Sequence, residues 1–169
     1  MKSVKVIIVI DNLRSNHNVG SIFRTADALD VTKIYLCGTT PTPIDKYGRP
    51  VGEIAKTALG AEKSIVWEYS KTTGGAIKKI KKEGVEIVAI EQSPNSVDYK
   101  KVKPKGNLAF VLGNEVDGIN KNILKLCDMV AEIPMRGELA RNRSSDDIGK
   151  ESLNVSVAAG VAMFRILNI

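Results

Sequence analysis

The chain has 169 residues, 43% hydrophobic and 26% charged, which fits one folded domain over 1–169 and excludes a disordered or low-complexity chain. Its net charge of +6 favours polyanionic partners without specifying any chemistry. No apolar run approaches the roughly 20 residues that span a bilayer, and two lone cysteines, Cys37 and Cys127, form neither a disulfide framework nor a zinc spacing, which points to a reducing cytoplasm.

In chain order, the short β-rich runs are Val4–Ile10, Lys33–Cys37, Ser64–Glu68, Glu86–Ile90, Leu108–Leu112 and Met129–Ile133. Helical patterns lie between them at Val19–Leu29, Gly52–Leu59, Gly75–Glu83 and Asn120–Leu126, and a last one covers Leu153–Leu167. The first strand reads Val-Ile-Ile-Val-Ile and the fifth Leu-Ala-Phe-Val-Leu, continuous apolar runs that suit strands covered on both faces. Alternation of such strands with helices predicts an α/β fold, a parallel sheet with helices on both faces. Sheets of this kind bind ligands beyond the carboxyl ends of their strands. Attention therefore falls on Asp11–Gly20, Glu91–Asn95, Gly113–Gly118 and Pro134–Ser152. Thr39–Pro50 is a Pro- and Gly-containing loop, long enough to be partly mobile. The lysines at 78, 79, 81 and 82 and at 100, 101, 103 and 105 read first as solvated surface.

Familiar catalytic signatures are missing. No G-x-x-x-x-G-K-[ST] loop and no G-x-G-x-x-G follows a strand, and His17 is the single histidine, so a His-rich metal site has no basis. There is no G-x-S-x-G elbow. Three other segments stand out. In Asn16-His17-Asn18-Val19-Gly20-Ser21-Ile22-Phe23-Arg24, the two asparagines suit helix initiation, and Arg24 sits about one turn into an apolar pattern, where a cation suits a phosphate or a developing alkoxide. In Leu112-Gly113-Asn114-Glu115-Val116-Asp117-Gly118, the glycines permit close approach and a turn, and Glu115 is a candidate partner for Arg24. In Glu151-Ser152-Leu153-Asn154-Val155-Ser156-Val157-Ala158-Ala159-Gly160, Ser152 reads as an N-cap. Asn154 and Ser156 then lie on a helix of small residues fit for close packing inside the domain or across a dimer interface.

Together these segments resemble the three signature motifs of the SpoU/TrmH branch of SPOUT methyltransferases. The matching strings are Asn18 to Ala26, Leu112 to Ile119, and Ile133-Pro134-Met135-Arg136-Gly137 with Ser152 to Ala158, in order and across nearly the whole chain. The resemblance implies a SPOUT-type fold with a C-terminal trefoil knot, which no residue pattern shows and which ordinary chain connections avoid. It also implies a homodimer that transfers a methyl group from S-adenosylmethionine to a ribose 2′-hydroxyl of RNA, with tRNA favoured over rRNA. No metal, membrane or separate RNA-binding domain is implied. It puts Arg24 at the catalytic centre, with Asn18, Glu115, Ser152 and Asn154 around it. The cofactor-binding positions would be Ile90, Glu91, Gln92, Leu112, Gly113, Asn114, Ile133, Met135, Gly137, Ser152, Leu153 and Asn154, with Leu112, Ile133, Met135 and Leu153 as apolar walls. An arginine is a poor general base because its pKa exceeds about 12. Orienting the ribose phosphate and stabilising the forming alkoxide is the role that suits Arg24.

The sequence departs from the family pattern at 138–149, a polar loop insertion that carries Arg141 and Arg143 where the family reaches Ser-Leu-Asn within a few residues. A non-catalytic RNA-binding or assembly protein on the same scaffold is the alternative this leaves open. The few aromatic residues, 5% of the chain, offer little for base stacking.

Overall fold

The computed structural model describes residues 4–137 and 152–169. Seven strands form one sheet: β1 (Val6–Asp11), β2 (Lys33–Cys37), β3 (Trp67–Ser70), β4 (Glu86–Ile90), β5 (Val97–Asp98), β6 (Leu108–Leu112) and β7 (Met129–Glu132). Their order across the sheet is β3-β2-β1-β6-β4-β7-β5, and every neighbouring pair is parallel. The helices are α1 (Asn16–Ala28), α2 (Gly52–Ala58), α3 (Ala61–Ser64), α4 (Thr73–Lys81), α5 (Lys121–Leu124) and α6 (Val155–Leu167). A single 3₁₀ turn covers Tyr99–Lys101.

The two-residue period of each strand divides its apolar side chains between two cores. Ile8, Ile10, Leu36, Val88, Phe110 and Leu112 face one side, with Ile22 and Phe23 of α1, Ile54 of α2 and Met163 of α6. Ile7, Val9, Tyr35, Ile87, Ala89 and Val111 face the other, with Ala76, Ile77 and Ile80 of α4. This is why the central strands read as unbroken apolar runs. Sequence order turns back between β1 and β6, so the loops after β1, β4, β6 and β7 gather at one end of the sheet. This is the crevice position expected of open parallel sheets.

Several local expectations shift. Strand β3 starts at Trp67, because 61–64 is spent on the turn of α3. Leu59 and Gly60, both left-handed at φ 53° and 99°, end α2 and restart the chain in that turn. At α1 the cap is Ser15, whose hydroxyl accepts from the Asn18 N–H at 3.2 Å, so Asn16 and Asn18 lie in the first turn rather than before it. At α6 the cap is Asn154, not Ser152, and its side-chain oxygen accepts from the Ser156 N–H at 3.0 Å. Cys37 is buried, and burial pushes its thiol up to about 12. No described helix is long and apolar enough to cross a membrane. The expected insertion at 138–149, with Arg141 and Arg143, lies outside the described residues.

Helix α1 crosses α2 with almost no gap at Gly20. A Cβ there would lie 2.0 Å from Thr57 Oγ1 and 2.5 Å from the Ile54 carbonyl oxygen. Alanine normally favours a helix interior over glycine, but here it forces two elements apart, so Gly20→Ala is expected to cost about 1–3 kcal/mol. Gly52, with nothing within 4 Å of its virtual Cβ, is the control. In urea denaturation the Gly20→Ala midpoint should fall while Gly52→Ala holds or rises. A Gly20→Ala midpoint equal to that of the unsubstituted chain would contradict the close seat.

Candidate functional site

The loop after β6 is built around Asn114. Its buried side-chain oxygen accepts from the N–H of Val116 at 2.8 Å and of Asp117 at 3.4 Å, while its amide donates to the Asn12 carbonyl at 2.8 Å beyond β1. The loop closes on itself through the bridge between Asn114 and Gly118, the latter left-handed at φ 64°. Gly113 lets the returning chain lie against it, since a Cβ there would meet Gly118 and Ile119 within 2.8 Å.

Glu91, just past β4, ties this loop to the next. One carboxylate oxygen accepts from the Ile119 N–H at 2.9 Å and the other from the Gln92 N–H at 2.8 Å. A carboxylate satisfies two backbone donors at once where a neutral side chain could satisfy one fewer.

Three distant segments meet at Asn18. Its amide nitrogen donates to Glu115 Oε1 at 2.6 Å, and its amide oxygen accepts from Asn154 Nδ2 at 3.1 Å. Glu115 therefore pairs with Asn18, not with Arg24 as the sequence suggested, because Asn18 sits in the first turn of α1 while Arg24 lies almost two turns further along. Among the described residues Arg24 makes no ion pair.

Two concavities flank the first turn of α6. The first is a cleft of about 390 Å³ walled by Ile90, Gly113, Ile133, Met135 and Leu153, with Glu91, Gln92, Asn114, Glu115 and Ser152 also on its lining. Most of the expected cofactor positions are thus brought together. Leu112 is not on this wall: as the last residue of β6 it is 1% exposed and packs into the core below. Gly137 is exposed and off the lining, and Asn154 stands outside it at the α6 cap. Sequence reasoning missed Lys121, a cation on the same cleft, and Val155 and Ala158 of α6. The apolar spacing of that last helix could have marked the latter pair.

The second concavity is an open groove of about 550 Å³ between α1, α2 and α6, lined by Ser21, Arg24, Thr25, Lys56, Ser156 and Phe164 among others. Arg24 opens into this groove. So the arginine and the cleft lie on opposite sides of one helical turn: Val155 and Ala158 face the cleft, Ser156 and Val157 the groove. Next to Arg24, Val157, Val161 and Phe164 leave an apolar stripe at 49%, 40% and 38% exposure. Among the described residues no group of three or more His, Cys, Asp or Glu side chains could hold a metal.

Comparison with known proteins gives the family and the fold. The family model described as SpoU rRNA Methylase family matches residues 5–164. The 23S rRNA (guanosine-2'-O-)-methyltransferase RlmB of Xanthomonas axonopodis pv. citri is 30% identical over 160 residues, 95% of this chain and 57% of that protein. The chain spans little more than half the length of the curated relatives it matches. The AdoMet-bound rRNA methyltransferase from Sinorhizobium meliloti superposes with a TM-score of 0.81 at 25% identity, over 97% of this chain and 56% of that one. The TrmH/SpoU tRNA modifying enzyme of A. aeolicus gives a TM-score of 0.78 at 26% identity, over 98% and 75%.

The double role of Glu91 is open to test by stability. Glu91→Ala leaves two loop N–H groups unmatched and is expected to cost about 1.5–3 kcal/mol, while Glu91→Gln retains one acceptor and costs less. A Glu91→Ala urea midpoint matching that of the unsubstituted chain would show that the carboxylate does not hold the loops.

Proposed function

The chain belongs to the SpoU rRNA methylase family, and on that premise we propose that it transfers the methyl group of S-adenosylmethionine to a ribose 2′-hydroxyl of RNA. The observation that carries the proposal is the junction of Asn18, Glu115 and Asn154, which joins the three motif segments beside a cleft at the carboxyl ends of the strands.

The cleft suits such a cofactor. Its volume of about 390 Å³ lies within the range of small-molecule sites. Apolar walls from Ile90, Ile133, Met135 and Leu153 would take the adenine, and the backbone at 90–92 and at Gly113 offers polar groups at its edge. Bound there, S-adenosylmethionine supplies an electrophilic methyl group on a sulfonium. The work left to the chain is positioning. Asn18, held by Glu115 and Asn154, fixes the rim of the cleft, and Ser152 and Asn154 border the approach to it. Arg24, always charged, orients the ribose phosphate and stabilises the oxygen as it loses its proton.

Arg24 reaches its own groove rather than its own cleft, so a complete site calls for a second copy. The exposed stripe of Val157, Val161 and Phe164 beside Arg24 is an apolar face of the kind a two-fold dimer buries. In that assembly the arginine of one protomer serves the cleft of its partner. The RNA class stays broad. Relatives named for 23S rRNA and for tRNA modification give rRNA equal standing with tRNA, against the preference for tRNA that the sequence suggested.

The test is transfer of labelled methyl from S-adenosylmethionine to cellular RNA, with the product read as a 2′-O-methylnucleoside. Arg24→Ala is expected to reduce turnover about a hundredfold or more while cofactor affinity, measured by calorimetry, stays near that of the unsubstituted chain. Undiminished turnover in Arg24→Ala would remove the arginine from the reaction, and methyl appearing on a base rather than a ribose would refute the assignment.

A further inference from the structure

The loop at 39–50, expected from its composition to be partly mobile, is stapled at its tip. Residues Ile44 and Pro50 form an antiparallel bridge, and the Val51 N–H donates to the Pro43 carbonyl at 2.9 Å. Inside this closure the Asp45 carboxylate accepts from the N–H of Tyr47 at 2.8 Å, from the N–H of Arg49 at 2.9 Å and from Arg49 Nε at 2.9 Å. The Arg49 backbone N–H first, and its guanidinium after it, hold the Asp45 carboxyl below the usual carboxylate range. Gly48, left-handed at φ 79°, makes the tight reversal possible.

What this staple presents is Tyr47. The residue is 69% exposed, with the Lys46 ammonium and the Arg49 guanidinium over its ring, each 4.9 Å from the ring centre. Among the described residues its hydroxyl makes no hydrogen bond. The other strongly exposed tyrosine, Tyr69, differs, since its hydroxyl donates to the Gly38 carbonyl at 3.1 Å and braces the turn after β2. Tyr47 contributes nothing comparable to the fold. An exposed aromatic ring with two cations over it, Arg49 also paired with Asp45, has the elements that bind unpaired nucleotides: a π-surface that a base can take over and positive charge beside it for phosphates.

The loop also points somewhere. It runs directly into α2, whose Lys56 shares the groove with Arg24, and Glu53 of that helix accepts from Asn16 Nδ2 at 2.6 Å. Lys46 and Arg49 thus stand at the tip of the loop, and the helix into which it runs carries Lys56 on the groove that Arg24 lines.

We propose that Tyr47 is a stacking platform for an unpaired nucleotide of the substrate RNA, with Lys46 and Arg49 contacting the flanking phosphates. The proposal rests on the reading of the chain as an RNA-modifying protein and adds the surface by which single-stranded RNA is held near Arg24.

The experiment uses the full chain and two probes, a fluorescein-labelled single-stranded RNA of mixed sequence and the same strand in a duplex, with binding read by anisotropy. Tyr47→Leu is expected to weaken single-strand binding about tenfold or more and to leave duplex binding unchanged, whereas Tyr47→Phe binds as the unsubstituted chain does. In Tyr47→Trp, indole fluorescence should be quenched on addition of the single strand, a signal that a merely structural role would not give. Equal single-strand affinity for Tyr47→Leu and the unsubstituted chain, an equal loss on the duplex, or no single-strand binding by the unsubstituted chain would each overturn the proposal. Methyl transfer by the unsubstituted chain separates the two readings. Transfer with Tyr47-independent binding sinks this proposal alone, and Tyr47-dependent binding without transfer sinks only the catalytic one.

Discussion

One side-chain amide holds the candidate site together. Asn18 donates to Glu115 with its nitrogen and accepts from Asn154 with its oxygen, so two bonds from a single residue link segments 97 and 136 positions away. An amide is suited to this because it carries donor and acceptor on one rigid plane. An aspartate there would face the Glu115 carboxylate with like charge, and a leucine would leave both partners unmatched. Around this joint the fold supplies stiffness: Ser15 caps α1, Asn154 caps α6, and Asn114 and Glu91 bind the backbone of the loops between. Each of these side chains turns an oxygen on a backbone N–H group, which fixes loop shape without drawing on the hydrophobic cores.

The first turn of α6 divides the functional surface. Its two faces look into different concavities, the cleft on one side and the arginine groove on the other. A single chain therefore separates the arginine from the cleft that the proposed chemistry combines. The same turn begins the helix whose outer face is apolar and exposed, so association of two copies and completion of the site become one event in the proposed assembly. Activity would then depend on protein concentration wherever the dimer dissociates.

Much of the sheet was legible in the sequence because its strands are buried on both faces. Lys33–Cys37, Glu86–Ile90 and Leu108–Leu112 are strands from end to end, as their unbroken apolar runs indicated. The signal failed where a local conformation overrode composition. The left-handed pair at Leu59 and Gly60 restarted a helical turn and moved β3 along the chain, and β5 is only two residues long, too short for any period to register. Most of the expected cofactor positions do line one cleft, but the pairings among the motif residues were not legible. That Glu115 meets Asn18, that Asn154 rather than Ser152 caps α6, and that Leu112 turns into the core depend on distances no linear spacing encodes. The display of Tyr47 was hidden for a similar reason, since only the closure of its loop by Asp45 reveals that the ring has nowhere to be buried.

We propose that the loops after β4, β6 and β7, held together through Glu91 and Asn18, form the seat of a methyl donor. A crystal structure of the chain grown with S-adenosylhomocysteine tests it most directly. The expected result is the ligand in the cleft between Gly113, Ile133 and Leu153, with Asn18 still bonded to Glu115 and Asn154. A ligand bound elsewhere on the chain, or a cleft left empty at saturating ligand, would contradict it.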